Sequence, residues 1–328
     1  MTVPDLPEME LALASAALTG DSGTLYRLAS NLMGNGVPFD SLLFDYLIPT
    51  ERSVGQRWEQ GDYLVAEEHA ATAAIETVIS LLAGMFDQSP DAPLVVVATA
   101  EGDDHSLPAR AIAAHLVSLG YRTVFLGANV PGDDLREFLE TEPPMVLVVS
   151  AAMTIHLLGA RAVVQAAHDV GVPAIVGGKA FGAEGEWAAS VGADTWVGSL
   201  HEVADVIERW RDIAPPLAMA PALPSAVMDL VAVRSAVVAE AEAELAEDDG
   251  TALPRRLIDE LRLLEAAVEA ALLTGDPKVV VDMLDWQKAS LPAHGYDPGS
   301  VAEALQTALE ASSTEGGLLL ARARNTSS

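Results

Sequence analysis

The sequence predicts an α/β domain between two all-helical regions. Short apolar runs alternate with helical patterns over residues 91–213, whereas helical periodicity alone covers 1–90 and 226–328. The segment 214–225 holds four prolines and few charges, which is typical of a linker. We therefore expect a helical bundle, an α/β domain, a Pro-rich linker and a C-terminal helical domain, in that order.

The first region carries apolar residues at three- and four-residue spacing, as one face of a helix requires. Leu11, Ala14 and Leu18 show this spacing early, and residues 70–82 show it again. Gly20 and the Gly34-Asn35-Gly36 segment interrupt the pattern and indicate turns. The pattern predicts a helical bundle, which we call the cap.

The second region contains five short runs rich in valine and isoleucine. They cover residues 94–100, 122–128, 145–151, 173–178 and 194–199. Continuous apolar strands separated by helices predict a parallel sheet that is covered on both faces. Five such units favour a flavodoxin-like, doubly wound fold, whose ligand binds beyond the carboxyl ends of the strands.

The last region has helical periodicity in four segments. They cover about 226–246, 254–273, 277–290 and 298–311. The tail that ends ARARNTSS is expected to be disordered. A small helical domain is thus predicted after the linker.

Composition excludes several classes of function. Among 328 residues, 18 are Lys or Arg and 48 are Asp or Glu, a formal charge of −30 that argues against binding to nucleic acid or anionic membranes. Cysteine is absent, which excludes thiolate chemistry and disulfides. The acidic N-terminus does not resemble a signal peptide, and no apolar run reaches the roughly 18 residues of a membrane span. Since no nucleophilic triad or phosphate-cradling loop is evident, we expect a cytoplasmic protein that is not an enzyme.

The loop after the first predicted strand contains a histidine close to an aspartate. His105 can present one ring nitrogen to a metal, while Asp103 holds the other and fixes the tautomer. An ordinary acidic βα loop is the alternative interpretation.

Two further clusters hold aromatic and histidine residues. In the cap, Trp58 is followed after nine residues by Glu68 and His69. Near the C-terminus, Trp286, His294 and Tyr296 surround one interhelical loop. Buried aromatic residues and an exposed Glu-His pair would explain both clusters without a ligand.

The first loop resembles the cobalamin-binding signature Asp-x-His-x-x-Gly, read here as Asp103-x-His105-x-x-Pro108, with proline in place of the glycine. Ser150 ends the third strand, and Gly177 and Gly178 end the fourth, as in that family. The resemblance implies that His105 is a cobalt ligand and that Asp103 supports it. It also implies that the serine and the glycines line the slot for the nucleotide tail.

The cap resembles that of the cobalamin-dependent light-sensing repressors, in which a Trp-x9-Glu-His pattern occurs. The resemblance implies that Trp58, Glu68 and His69 line the pocket of a 5′-deoxyadenosyl group. It further implies that light breaks the cobalt–carbon bond and that His69 then ligates the vacated cobalt face.

The order of the domains resembles the photocobilins, which hold both cobalamin and biliverdin. That resemblance implies a globin-like C-terminal domain with Trp286, His294 and Tyr296 as bilin contacts. Four cations could pair with the propionates, namely Arg255, Arg256, Arg262 and Lys288. Without cysteine, a bilin could not be attached through a thioether.

These resemblances predict a light sensor with adenosylcobalamin as chromophore and biliverdin as a second one. Since the acidic chain shows no DNA-binding domain before the cap, we expect light to act through a homo-oligomer or a separately encoded signalling protein. The main alternative is a corrinoid carrier protein for a methyltransferase, which would pair a similar cap with the same α/β domain. A scaffold without a cofactor is a third possibility.

Overall fold

The structure is a computed structural model that describes residues 6–246, 253–312 and 314–326. The outermost residues of the predicted first and last regions lie outside these ranges. No helix in the described ranges is long and apolar enough to cross a membrane.

The cap is an all-helical bundle, as predicted. It consists of α1 (Leu6–Leu18), α2 (Ser22–Gly34), α3 (Phe39–Ser41), a π-helical segment (Leu42–Leu47), α4 (Ile48–Glu59) and α5 (Val65–Ala83). The Asp21 carboxylate starts α2 by accepting a hydrogen bond from the Thr24 backbone N–H at 2.9 Å. At the start of α5 the roles are reversed, because the Leu64 backbone N–H donates to the Glu67 carboxylate at 2.7 Å. Local capping therefore fixes where the two helices begin.

The central region is a five-stranded parallel sheet with the strand order β2-β1-β3-β4-β5. The strands are β1 (Leu94–Thr99), β2 (Arg122–Phe125), β3 (Val146–Ser150), β4 (Ala174–Gly177) and β5 (Thr195–Val197). The helices are α6 (Leu107–Ser118), α7 (Gly132–Thr141), α8 (Leu157–Asp169), α9 (Ala188–Val191) and α10 (Glu202–Trp210). This order confirms the flavodoxin-like prediction and places the switch point between β1 and β3.

The alternating pattern of the second region predicts a helix over about 182–191, between the last two strands, but the helix found there is much shorter. A 3-10 turn (Lys179–Phe181) and the short α9 take its place. Gly182 and Gly185 have φ angles of +86° and +72°, which are incompatible with a continuous right-handed helix. The β4–β5 connection is therefore mostly an extended loop.

The Pro-rich segment lies against the α/β domain instead of spanning open solvent. The buried Asp194 carboxylate accepts a hydrogen bond from the Ala218 backbone N–H at 2.6 Å. The Arg161 guanidinium donates to the carbonyl oxygens of Ser190 (2.9 Å) and Pro221 (2.5 Å). The linker is therefore held on the surface of the α/β domain, and this position determines where the next region begins.

The C-terminal region contains five helices. They are α11 (Ser225–Leu245), α12 (Arg255–Thr274), α13 (Lys278–Ser290), α14 (Pro298–Ser312) and α15 (Thr314–Thr326), with a 3-10 turn (Leu291–His294) after α13. The expected disorder of the tail was wrong, because α15 buries Leu320 and Ala323 completely. Only Ser327 and Ser328 of that tail lie outside the described residues. The globin-like comparison stays a prediction.

Apolar packing joins the C-terminal region to the sheet but leaves the cap largely separate. One continuous cluster runs from one face of the sheet through α7 and α8 into the C-terminal helices. The cap has its own cluster, in which the buried members outside the cap are only Leu107, Ala111 and Ala114 of α6. A third cluster covers the other face of the sheet with α6 and α10.

Candidate cofactor site

The loop between β1 and α6 is organised around the buried side chain of Asp103. Its Oδ1 accepts hydrogen bonds from the His105 backbone N–H at 3.0 Å and from the His105 ring Nδ1 at 2.7 Å. Its Oδ2 accepts the Ala152 backbone N–H at 2.7 Å, which ties this loop to the end of β3. Burial alone would raise the pKa of Asp103, but these contacts and the nearby His156 hold that pKa well below its ordinary value.

His105 projects from this loop with about half of its side chain exposed (54%). Its hydrogen bond to ionised Asp103, and to a lesser extent the Glu51 and Glu68 carboxylates of the cap, raise the pKa of the imidazole. Because Nδ1–H is donated to Asp103, the neutral ring carries its lone pair on Nε2. This is the arrangement that prepares an imidazole as a metal ligand.

His156 is a second histidine at the same carboxylate, whereas its sequence position predicts a surface or capping residue near enough to Ser150 to approach the tail slot. Its Nδ1 lies 3.3 Å from Asp103 Oδ2, and its ring centroid lies 6.2 Å from that of His105. The ligand atoms of Asp103, His105 and His156 all lie within 4.8 Å of one another. Position after β3, at the same edge as Ser150, predicted the neighbourhood of His156 but not its contact with Asp103.

Ser150 and the two glycines lie side by side at the carboxyl edge of the sheet, as expected. Ser150 is buried and pairs in register with Gly177 on the neighbouring strand. Gly178 has a φ of +108°, and a Cβ there would lie 2.1 Å from the Ala151 carbonyl oxygen. Only glycine fits at this position, so no side chain covers this part of the sheet edge.

The cap places a second carboxylate–histidine pair near this loop. His69 Nδ1 lies 2.6 Å from Glu68 Oε2, and 75% of the His69 side chain is exposed. Thr72 Oγ1 holds the other Glu68 oxygen at 3.0 Å. Burial, and then the Glu68 carboxylate, raise the pKa of Glu51, which also interacts electrostatically with His105. The acidic side of the cap therefore faces the His105 loop.

Trp58 and the C-terminal cluster meet at a different corner of the cap. Trp58 is half-buried, and the Arg256 guanidinium lies 5.6 Å from the centroid of its indole ring. The Trp286 indole N–H donates to the Glu59 carboxylate at 3.3 Å. His294 Nε2 is buried and has no hydrogen-bond partner among the described residues, and burial lowers the pKa of this imidazole. Tyr296 packs against the apolar cluster of the C-terminal region.

The residues at the sheet edge suit a corrinoid. In the described part of the chain, no hydrogen bond occupies His105 Nε2, so an imidazole lone pair is available to cobalt. Gly177, Gly178 and Ser150 together form a narrow polar surface along which an extended tail could lie. The donor set is thus consistent with the resemblance on which the sequence analysis relied.

Comparison with family models gives the same result for two parts of the chain. Residues 93–207 match a model described as B12 binding domain, and residues 10–83 match a second model with that description. The first match covers the sheet with its site loops, and the second covers the cap.

Sequence comparison with known proteins finds relatives that extend over both of these parts of the chain. Trimethylamine corrinoid protein 1 of Methanosarcina mazei is 25% identical over 205 residues, which cover 60% of this chain and 95% of that protein. The HTH-type transcriptional repressor CarH of Myxococcus xanthus is 33% identical over 109 residues, 31% of this chain and 34% of that protein.

The monomethylamine corrinoid protein of Methanosarcina barkeri shares the fold, with a TM-score of 0.52 and 22% identity over 62% of this chain and 100% of that structure. Together with the family models, these matches indicate that the chain is a cobalamin-binding protein related to corrinoid proteins. The C-terminal helical region lies beyond both family-model matches.

Proposed function

We propose that this protein is a corrinoid carrier, which holds cobalamin between the cap and the sheet edge and presents it to a separate methyltransferase. The observation that carries the proposal is the His105–Asp103 pair at the sheet edge beneath the cap. The comparisons favour a carrier over a light sensor, because the similarity to a named corrinoid protein extends over almost all of that relative.

The protein's own residues have distinct tasks in this proposal. If cobalamin is bound, His105 Nε2 would be the protein's ligand to cobalt, and Asp103 would hold the ring in the tautomer that leaves this nitrogen free. Ser150, Gly177 and Gly178 would receive the nucleotide tail. Cobalamin would supply a cobalt atom that can carry a one-carbon group, and the cap would shield the site from water.

The test is binding and methyl transfer in darkness. Apoprotein loaded with methylcobalamin should lose its methyl group only when a corrinoid methyltransferase and a thiol acceptor are added. His105→Ala should weaken cobalamin retention by about tenfold or more and shift the absorption spectrum, since one metal ligand is lost. His201→Ala is the matched control, because it removes an exposed histidine whose ring contacts Phe44 of the cap and not the His105 loop. Unchanged retention and spectrum in His105→Ala would remove His105 from the site.

A light sensor using adenosylcobalamin is the second proposal, favoured by one specific arrangement. His69 and Glu68 repeat on the cap the imidazole–carboxylate pairing of His105 and Asp103. A histidine oriented in this way could serve as a second protein ligand to cobalt. The partial similarity to a transcriptional repressor covers the same kind of domain.

Green light separates the two proposals. A sensor loaded with adenosylcobalamin should change its sedimentation on illumination and form a stable product whose spectrum requires His69. His69→Ala should leave binding in darkness intact and destabilise that product. A carrier should show neither a light-dependent change in assembly nor a dependence on His69.

Biliverdin is a separate proposal for the C-terminal region. Trp286, His294 and Tyr296 lie in or beside the corner between α13 and α14, and the unpartnered His294 Nε2 there could accept or donate a hydrogen bond. Expression with biliverdin should yield a red-absorbing band that weakens in Trp286→Ala or His294→Ala. Protein purified without such a band would contradict bilin binding.

A further inference from the structure

The C-terminal region touches the cap at the turn that joins α4 to α5. We call residues 58–61 the cap corner. Gly61 lies against Ala293, because a Cβ built on the glycine would lie 3.7 Å from the alanine Cβ. Trp286 hydrogen-bonds to Glu59, and Arg256 lies over the ring of Trp58. Three adjacent contacts therefore join two regions that are far apart in sequence.

Arg256 is held in place by buried partners within the C-terminal region. Its Nη2 donates to Ser290 Oγ at 3.1 Å and lies 3.7 Å from a carboxylate oxygen of Glu260. Gln287, which is fully buried, donates to the other Glu260 oxygen at 3.1 Å and to the Glu260 backbone carbonyl at 3.0 Å. The cation that faces Trp58 is thus oriented before the cap makes contact, so little side-chain entropy is lost on contact.

The two partners are joined to the sheet domain through different elements. The C-terminal helices share a continuous apolar cluster with the sheet domain, and hydrogen bonds at Asp194 and Arg161 hold the linker against it. Trp187 Nε1 also donates to the Asp276 carboxylate at 3.1 Å. The cap has a separate apolar cluster that includes three buried residues of α6. The two helical regions thus pack on different sides of the α/β domain and meet each other at the cap corner.

We propose that the C-terminal helical region is a latch, which holds the cap closed over the His105 loop through Arg256, Trp286 and Ala293. Displacing the cap requires these contacts to the cap corner to break. The latch therefore sets how often the site between cap and sheet opens to a large ligand or a partner protein. Its role in methyl transfer rests on the proposed function, but its effect on cap opening does not.

A disulfide offers a direct test, because the natural chain contains no cysteine. The separation of 3.7 Å between the Ala293 Cβ and a Cβ built on Gly61 matches the roughly 3.8 Å typical of disulfides. The double variant Gly61→Cys/Ala293→Cys should oxidise within one chain. The single variants Gly61→Cys and Ala293→Cys are the controls, and the first also reports the strain of a side chain at the Gly61 φ of +81°.

The main measurement is hydrogen exchange of α4 and α5 in the apoprotein. In the oxidised double variant, the amide hydrogens of α4 and α5 should exchange about tenfold more slowly than in either single variant, because local opening of the cap is suppressed. Cobalamin uptake by the oxidised double variant should slow by a similar factor. Equal exchange and uptake in the double and single variants would overturn the latch, as would failure of the two thiols to pair.

A loosened latch should behave in the opposite way. Glu59→Ala removes the acceptor of the Trp286 hydrogen bond, and Glu59 is exposed, so the change leaves the cap core intact. We expect cap exchange and cobalamin uptake to rise by about threefold. Glu10→Ala removes another exposed carboxylate of the cap and should change neither. If no variant takes up cobalamin, the proposed function fails, while hydrogen exchange still decides the latch.

Discussion

The two helical regions pack against the same α/β domain in different ways. The C-terminal helices extend the apolar core of the sheet, whereas the cap has a core of its own and packs on α6. Polar contacts complete the cap junction: Ser106 Oγ hydrogen-bonds to the Glu76 carboxylate, and Arg110 donates to Ser80 Oγ at 3.0 Å. The comparison shows that a shared core holds one helical region, whereas a separate core docked on α6 holds the other.

Substitutions that create a cavity in either core should have the largest effects on the free energy of unfolding. Leu264→Ala in the shared core and Leu25→Ala in the cap core each remove a fully buried side chain. Each should lower the free energy of unfolding by about 2–5 kcal/mol, measured by urea denaturation. Hydrogen exchange separates them: Leu264→Ala should accelerate exchange in β3 and β4, and Leu25→Ala should accelerate it only in the cap. Equal acceleration in the sheet would contradict the separation of the cores.

A buried carboxyl pair makes the stability of the shared core dependent on pH. Burial, and then the neighbouring Glu269, raise the pKa of Glu265 to about 8. Between the ordinary pKa near 4.5 and 8, the unfolded chain is ionised while the folded chain keeps the proton, so the free energy of unfolding falls as pH rises. Glu265→Gln should therefore stabilise the protein by on the order of 2 kcal/mol at pH 7.5 and flatten this dependence.

The control for that prediction is Glu240→Gln, which changes an exposed carboxylate on α11. Thermal melts from pH 5.5 to 8.5 would compare the three proteins. A pH dependence of Glu265→Gln as steep as that of the wild type would mean that Glu265 ionises normally in the folded protein.

The cap junction should respond to pH in the opposite direction. His115 of α6 is buried against Phe44, and burial lowers the pKa of its imidazole; Asp40 partly offsets this effect, whereas His201 adds to it. Because the folded state disfavours the proton, stability should fall as pH drops below about 6.5. We expect the opening of the cap, measured as amide exchange relative to the intrinsic exchange rate at each pH, to increase between pH 7 and 5.5. His115→Gln should remove this increase, and an unchanged slope would assign it to another group.

The smallest effect is expected from the polar contacts of the junction. Arg110→Ala removes an ion pair with Glu76 at 3.5 Å and the hydrogen bond to Ser80. Since both charges are partly exposed, it should weaken cap docking by only about 0.5–1 kcal/mol, seen as faster exchange in α5. Arg211→Ala, which breaks an exposed pair with Glu208, is the control and should leave the cap unchanged. A loss as large as that of Leu25→Ala would show that polar contacts dominate the junction.

Local patterns were sufficient to predict much of the site. Asp103 and His105 are two residues apart in one loop, so their pairing follows from short-range geometry. Ser150 and Gly177 end neighbouring strands of a parallel sheet, where topology alone brings them together. The strand runs also predicted the five parallel strands and the flavodoxin-like fold, which the strand order of the structure confirms.

Long-range contacts were beyond the reach of such patterns. Nothing near Trp58 or Glu59 in sequence indicates Arg256 or Trp286, because their contact depends on how whole regions pack. α15 was missed for a related reason: Gly316 and Gly317 suggest a break, yet burial of Leu320 and Ala323 stabilises the helix. Tertiary packing overrode local propensity there.

The shared core also has a consequence for synthesis on the ribosome. The cap emerges before the sheet domain and can fold around its own cluster. The sheet domain emerges next, but Ile155 and Leu158 pack against a cluster completed by helices that begin at Ser225. Until those helices have been made, this apolar surface is open to water and to other nascent chains. The central domain should therefore be the segment that depends most on chaperones, and only while translation is incomplete.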